Sequence, residues 1–116
     1  MRLLNKYKPR GVLHCYSGSL EMAAEVTKLG LYIGFTGVVT FKNSRRAAAV
    51  IASIPRDRLL VETDCPYMAP EPMRGKRCDS SMLVYTIGSI AGVLSLEPDE
   101  AAALTARNSK VLFNIE

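Results

Sequence analysis

Apolar and polar residues along the chain follow two periods, which together predict an α/β fold. Three short apolar runs are typical of strands buried in a sheet, at residues 12–16, 31–36 and 58–64. Helical spacing of apolar residues predicts five helices, at residues 1–8, 20–29, 45–54, 83–94 and 98–113. Because helices separate successive strands, we expect the strands to pair in parallel through right-handed crossovers.

Several helix boundaries are marked by residues with known terminal preferences. Ser19 and Ser44 are typical N-cap residues, and Gly30 suits the position just after a helix. Pro98 suits the first position of the last helix. Residues 38–41 fit either an extension of the second strand or a loop packed on it.

A sheet of three parallel strands is small, and both of its outer strands would present unpaired backbone edges. The 116 residues suffice for one modest hydrophobic core. We therefore expect residues 1–116 to form a single partial domain of a larger α/β fold. We also expect the chain to self-associate through its open sheet edges.

The third predicted strand ends in two acids. Glu62 and Asp64 lie on one face by the two-residue period of a strand, and Pro66 prevents the strand from continuing. Asp64 could cap the following turn, and Glu62 could be half of a buried ion pair. Two acids on one face repel each other unless a cation or a proton lies between them, and we favour a cation. This end of a strand is also where α/β enzymes place their chemistry.

His14 is the only histidine and lies at the centre of the first predicted strand. One interpretation is a core imidazole that is hydrogen-bonded to a backbone carbonyl. The other is a metal ligand, because imidazole and carboxylate together suit Zn, Mn or Fe. Both interpretations stay open from the residues alone.

A proline-rich loop at residues 65–81 follows the two acids, and loops of this length are more often functional than idle. It carries the basic run Arg74-Gly75-Lys76-Arg77, which is either a solvated surface or a binding site for substrate phosphate. Other basic residues that could extend a positive rim are Lys42, Arg45 and Arg46.

Composition adds modest constraints. A formal net charge of +4 permits a nucleic-acid or phosphate partner without requiring one. Cys15, Cys65 and Cys78 are interpreted as small hydrophobic residues, because no second histidine is available to activate a thiol. Their odd number and spacing favour a reducing compartment. With no long apolar run and no signal peptide, we expect a cytoplasmic protein without a membrane partner.

Five segments, taken in order, resemble the TatD family of metal-dependent hydrolases. They are GVLHCYSG (11–18), GVVTFKN (37–43), LVETDCPY (60–67), PMRGKR (72–77) and ARNSKVLF (106–113). The resemblance covers nearly the whole chain and implies a TIM-like (β/α) barrel of the metal-dependent hydrolase type. Such barrels have roughly 250 residues, so the chain corresponds to the C-terminal half.

The resemblance also implies a divalent metal, which would be Mg, Mn or Zn, and hydrolysis of phosphodiester bonds. The activity would be that of a deoxyribonuclease acting as an exonuclease, with DNA or another phosphodiester as substrate. His14 and Asp64 match metal ligands, and Asp64 and Glu62 match catalytic acids. The substrate-binding residues implied by this likeness are Arg74, Lys76, Tyr67 and Ser17.

The sequence departs from the family pattern in ways that affect activity. The family's His-x-His pair, its bridging Glu and its earlier His have no counterpart here. The two remaining ligands are fewer than the three that catalytic metal sites use, so we expect the chain to be inactive alone. Tyr16 replaces the usual phenylalanine, Cys65 the usual alanine, and Cys78-Asp79-Ser80 the usual Asn-Glu-Pro. Alternative hypotheses are a non-catalytic remnant that keeps only the fold, or a basic nucleic-acid-binding module.

Overall fold

A computed structural model describes residues 1–116. Its helices and strands are α1 (Arg2–Tyr7), β1 (Val12–Leu13), α2 (Leu20–Lys28), β2 (Tyr32–Phe35), α3 (Arg45–Ser53), β3 (Leu59–Val61), α4 (Leu83–Leu94) and α5 (Pro98–Phe113). Three short 3-10 helices are Gly37–Thr40, Arg56–Arg58 and Ser80–Met82. The predicted order of strands and helices is confirmed.

The three strands form one parallel sheet in the order β1-β2-β3. Val12 pairs with Tyr32, and Ile33 pairs with Leu59. All four residues of the central strand β2 are buried, as expected of a strand covered by helices on both faces. The strands β1 and β3 are the edges of the sheet, so the predicted α/β sheet with two outer edges is confirmed.

The outer strands are shorter than the sequence predicted. β1 ends at Leu13, and the next two residues form a turn in which Cys15 has a left-handed backbone (φ 49°). That conformation breaks the strand, so His14 lies just beyond β1 rather than at its centre. β3 ends at Val61, which places Glu62 and Asp64 beyond the strand instead of within it.

Residues 37–40 form a 3-10 helix rather than either of the two conformations predicted for this segment. Glycine at position 37 allows this segment to lie close to the loop after β3. A Cβ at Gly37 would lie 2.9 Å from the carbonyl oxygen of Met68 and 2.9 Å from the nitrogen of Pro70. The segment is thereby packed directly against the loop that follows β3.

The two faces of the sheet are covered by different helices. On one face, Ile33 and Phe35 pack in the main core with residues from α2, α3 and α4. This core contains Ala23, Val26, Leu31, Ile33, Phe35, Val39, Val50, Ile51, Ile54, Leu59, Ile90 and Leu94. On the other face, Tyr32 and Leu60 pack against Leu112 of α5. The alternation of side chains along β2 and β3 therefore supplies both layers.

The last helix is fixed to the amino end of β3 by one side chain. Asn108 is 5% exposed, and its amide donates hydrogen bonds to the carbonyl oxygens of Arg56 (2.7 Å) and Leu59 (2.8 Å). At the start of the same helix, the Glu100 carboxylate accepts a hydrogen bond from the Glu97 N–H at 2.9 Å. These bonds satisfy backbone groups that the ends of β3 and α5 would otherwise leave unpaired.

The N-terminal helix is peripheral, since α1 contains no buried residue. Its exposed apolar residues include Leu3 and Tyr7, and Phe113 and Ile115 are likewise exposed at the C-terminal end of the chain. No single helix is long and apolar enough to cross a membrane; the pair Ser80–Leu94 and Pro98–Phe113 reaches that length and apolarity only together, bent by 102°.

Candidate functional site

A histidine and two acids converge at the carboxyl ends of β1 and β3. The His14 imidazole lies between two carboxylates, with Nδ1 2.5 Å from Oε2 of Glu62 and Nε2 2.5 Å from Oδ1 of Asp64. The imidazole is 53% exposed, whereas both carboxylates are mostly buried. The structure thus brings together the three residues that the sequence predicted for this edge of the sheet.

The Glu62 side chain packs directly over Gly34 of the central strand β2. An added Cβ at Gly34 would lie 2.1 Å from the carboxyl carbon of Glu62, so only glycine leaves room for this side chain. Gly34 was not singled out from the sequence. The signal was present, since a lone glycine inside a buried strand often marks the close approach of another group.

The turn after β1 orients the histidine. The backbone N–H of Cys15 donates a hydrogen bond to Oε2 of Glu62 at 3.1 Å, and the Cys15 Sγ lies 3.4 Å from Oγ1 of Thr36. Burial raises the pKa of the Cys15 thiol above its usual range. A left-handed backbone at a non-glycine residue beside such a cluster is a local strain of the kind found at functional sites.

The His14 imidazole occupies the space between the two acids. We predicted a cation between the two acids, and in the structure the imidazole itself lies between them. The hydrogen bond with Asp64 raises the pKa of His14 above its usual value. Desolvation opposes this rise in pKa, and the negative charges of Glu62 and Asp64 add to it. The imidazolium form therefore relieves the repulsion between the two carboxylates.

The donor types in this cluster suit a divalent metal, but the chain supplies few of them. An imidazole nitrogen and carboxylate oxygens are ligands for Zn, Mn and Fe. Glu62 and Asp64 approach opposite nitrogens of the ring, and no group of three or more His, Cys, Asp or Glu side chains is placed to hold one metal ion. The residues fit part of a metal site, fewer than the three protein ligands of a catalytic one.

Three of the predicted substrate-binding residues lie on the loop that follows Asp64. The Tyr67 N–H donates a hydrogen bond to the carbonyl oxygen of Asp64 at 2.7 Å, and the Tyr67 side chain is 72% exposed. The Arg74 guanidinium lies 3.9 Å from the centre of the Phe41 ring. Tyr67, Arg74 and Phe41 line a cavity of about 370 Å³ together with Lys76. Three of the four predicted substrate-binding residues, Tyr67, Arg74 and Lys76, therefore share one cavity.

Ser17 is placed apart from the other predicted substrate-binding residues. It lines a second cavity of about 360 Å³ that also contains Asn43 and Arg46. Residues 38–44 contribute to both cavities, which the periodicity of the sequence could not indicate. Lys42 of this segment and Arg45, the first residue of α3, are exposed.

Two cysteines flank the basic loop. The Sγ atoms of Cys65 and Cys78 are 3.5 Å apart. Burial raises the pKa of the Cys78 thiol to about 11, which agrees with the prediction of a small hydrophobic residue. That prediction is wrong for Cys65, because this residue is exposed.

Parallel strands covered by helices define an α/β protein, and the polar groups at their carboxyl ends mark the edge where such folds place their sites. The family model described as TatD related DNase matches residues 1–114. The chain belongs to this TatD family.

Curated relatives and solved structures agree with this assignment. The chain is 45% identical over 105 residues to the uncharacterized metal-dependent hydrolase YabD of Bacillus subtilis, a match covering 90% of the chain and 41% of the relative. It is 32% identical over 104 residues to the uncharacterized metal-dependent hydrolase TatD of Mycobacterium tuberculosis, covering 90% of the chain and 39% of that relative.

The crystal structure of YjjV, a TatD homolog from Escherichia coli K12, superposes with a TM-score of 0.89 at 31% identity, covering 99% of the chain and 45% of that structure. The chain thus spans about two fifths of the length of the curated relatives it matches. The predicted fold class, a partial TIM-like barrel with three parallel strands, is confirmed by this likeness.

Proposed function

We propose that the chain supplies part of the active site for metal-dependent hydrolysis of phosphodiester bonds, with DNA as the substrate. The observation that carries this proposal is the placement of His14 between Glu62 and Asp64 at the carboxyl ends of parallel strands. The names of the relatives, which are metal-dependent hydrolases, support the reaction class.

In this proposal His14 and Asp64 hold a divalent metal, which would be Mg, Mn or Zn. When bound, such a metal supplies Lewis-acid stabilisation of negative charge on the phosphoryl oxygens. Glu62 orients the imidazole through Nδ1 and fixes the turn through the Cys15 N–H. These contacts favour a positioning role for Glu62 over the direct catalytic role predicted from the sequence.

The basic loop binds the substrate in the same proposal. Arg74 and Lys76 are exposed and face one cavity, where they can neutralise phosphate oxygens. Stacking on Phe41 restrains the Arg74 guanidinium, which lowers the entropy lost on binding. The exposed ring of Tyr67 offers a surface on which a base can stack.

The main alternative is a basic nucleic-acid-binding module without chemistry, and metal dependence distinguishes the two. We would measure binding of fluorescent single-stranded DNA in Mn²⁺ and in EDTA. The expected result is about tenfold tighter binding in Mn²⁺ for the wild type and no gain for Asp64→Asn. Lys110→Ala, a charge change on exposed α5 surface, is the control that keeps the gain.

Equal affinity in Mn²⁺ and EDTA, unchanged in Asp64→Asn, would favour the binding module and contradict the proposal. Cleavage is scored on the same samples. Because the chain supplies two metal donors, we expect cleavage no greater than that of Asp64→Asn. Metal-dependent cleavage that Asp64→Asn abolishes would overturn the expectation of inactivity and indicate that copies of the chain complete the site together.

A further inference from the structure

Cys65 and Cys78 are separated by 13 positions in the chain, yet their Sγ atoms lie 3.5 Å apart. A backbone hydrogen bond holds the same two segments together. The Cys78 N–H donates to the carbonyl oxygen of Pro66, the residue after Cys65, at 2.9 Å. A disulfide needs an Sγ–Sγ distance of about 2.05 Å. The remaining approach is within reach of side-chain rotation, since the backbone already holds the two residues side by side.

The two thiols differ in their access to solvent. Cys65 is exposed, and Cys78 is 4% exposed. Both line an open cavity of about 690 Å³ together with Thr63, Arg77 and Asp79, a volume in the range of small-molecule sites. A small reagent can therefore reach Cys65 first, with Cys78 held directly behind it.

We propose that Cys65 and Cys78 form a reversible disulfide by exchange with a low-molecular-weight disulfide of the glutathione type. The Cys65 sulfur attacks one sulfur of the small disulfide, which forms a mixed disulfide and releases one small thiol. The Cys78 sulfur then attacks the Cys65 sulfur and releases the second small thiol. Two protein thiols are oxidised, one small disulfide is reduced to two thiols, and each thiol released takes up one of the protons that the cysteines lose.

The bond would close the loop of residues 66–77 into a covalent ring. This loop carries Tyr67, Arg74 and Lys76, and Cys65 directly follows Asp64. Oxidation would therefore restrain the exposed basic loop beside the carboxylate cluster. The inference does not depend on the proposed function, since the thiol pair and the loop are present whatever the loop binds.

The third cysteine provides an internal control. The Cys15 Sγ lies near the Thr36 hydroxyl, at 3.4 Å, and has no second thiol beside it. We expect Cys15 to remain a free thiol under conditions in which the other two react.

The test is incubation of the folded chain in graded mixtures of oxidised and reduced glutathione, followed by alkylation and mass spectrometry. The expected product has lost two hydrogen atoms and two alkylatable thiols, and contains a Cys65–Cys78 cross-linked peptide. In Cys78→Ser the reaction should stop at a glutathione adduct on Cys65, whereas Cys15→Ser should behave as the wild type. Trypsin cleavage after Arg74 and Lys76 should be severalfold slower in the oxidised protein.

Three results would overturn the proposal. One is a Cys65–Cys78 disulfide that forms only in urea, because the folded structure would then not have positioned the thiols. Another is consumption of Cys15 at the same rate as Cys65. The last is a stable glutathione adduct on Cys65 in the wild type, which would show that Cys78 cannot displace it.

Discussion

The polar side chains gathered at the two ends of β3 differ in burial and in what they bind. At the amino end, the Asn108 amide is buried and donates both of its hydrogen bonds to backbone carbonyls. At the carboxyl end, Glu62 and Asp64 pair with the half-exposed His14. The first arrangement satisfies backbone carbonyls and uses both N–H donors of the amide. The second leaves an imidazole and two carboxylates within reach of solvent.

The amino end of this short strand is tied into the fold, whereas its carboxyl end presents ionisable side chains. Polar groups at the amino ends of barrel strands stabilise the fold, whereas those at the carboxyl ends are available for reaction. This edge of the sheet also departs from ideal geometry, with the left-handed Cys15 after β1 and the close approach of Glu62 to Gly34 of β2. Such departures are expected where side chains are positioned for function.

The largest effect is expected at the amino end. Asn108→Ala would remove the hydrogen bonds to the buried Leu59 carbonyl and the partly buried Arg56 carbonyl, at a cost of about 2–3 kcal/mol in the free energy of unfolding. Urea denaturation measures this cost. Ser109→Ala, one residue further along α5, is the control and should change stability by no more than about 0.5 kcal/mol. Equal losses in the two variants would contradict the role given to Asn108.

A somewhat smaller effect on stability is expected at Gly34, over which the Glu62 side chain packs. Gly34→Ala would force the Glu62 carboxylate aside and cost about 1–3 kcal/mol, as overpacking does. Because the clash is with one side chain, Gly34→Ala should cost much less when Glu62 is already replaced by alanine. A double-mutant cycle by urea denaturation measures this coupling. Additive effects would show that Gly34 is not what positions Glu62.

The edges of the sheet give a third prediction. The strands β1 and β3 each pair only with β2. Their outer backbone groups, apart from the Leu59 carbonyl that accepts from Asn108, are therefore available to another strand. Sedimentation of the purified chain should show an average mass that rises above that of one chain as concentration increases. A single monomeric species at all concentrations, with a sharp cooperative melt, would exclude self-association through these edges.

The smallest effect concerns the basic loop. Arg74→Ala should weaken binding of single-stranded DNA uniformly across sequences and reduce the slope of log affinity against log salt by about 1. Lys110→Ala, on the helix that packs at the amino end of β3, removes the same charge and should leave the slope nearly unchanged. Equal slopes for the two variants would mean that position on the surface does not matter, only net charge.

Much of the fold was predictable from local signals. The last helix was predicted from Pro98 to Phe113 and has those bounds in the structure. The meeting of His14 with Glu62 and Asp64 was also predictable, because parallel strands bring their carboxyl ends to one edge of the sheet.

The remainder depends on contacts that no local pattern records. The end of β1 is set by the backbone of Cys15, and the Glu62 carboxylate packs within ångströms of Gly34. The loop of residues 65–78 has no periodicity, so the proximity of its two cysteines could not be read from spacing. Asn108 was recognised only as part of a motif, since its partners lie about 50 residues away.

The central claim is that the carboxyl end of β3, and not its amino end, binds a divalent metal through His14 and Asp64. His14 is the only histidine, so its ring signals in an NMR spectrum are unambiguous. Titration with paramagnetic Mn²⁺ should broaden those signals in the wild type, and Asp64→Asn should need about tenfold more Mn²⁺ for the same broadening. Equal broadening in the wild type and in Asp64→Asn would contradict the claim.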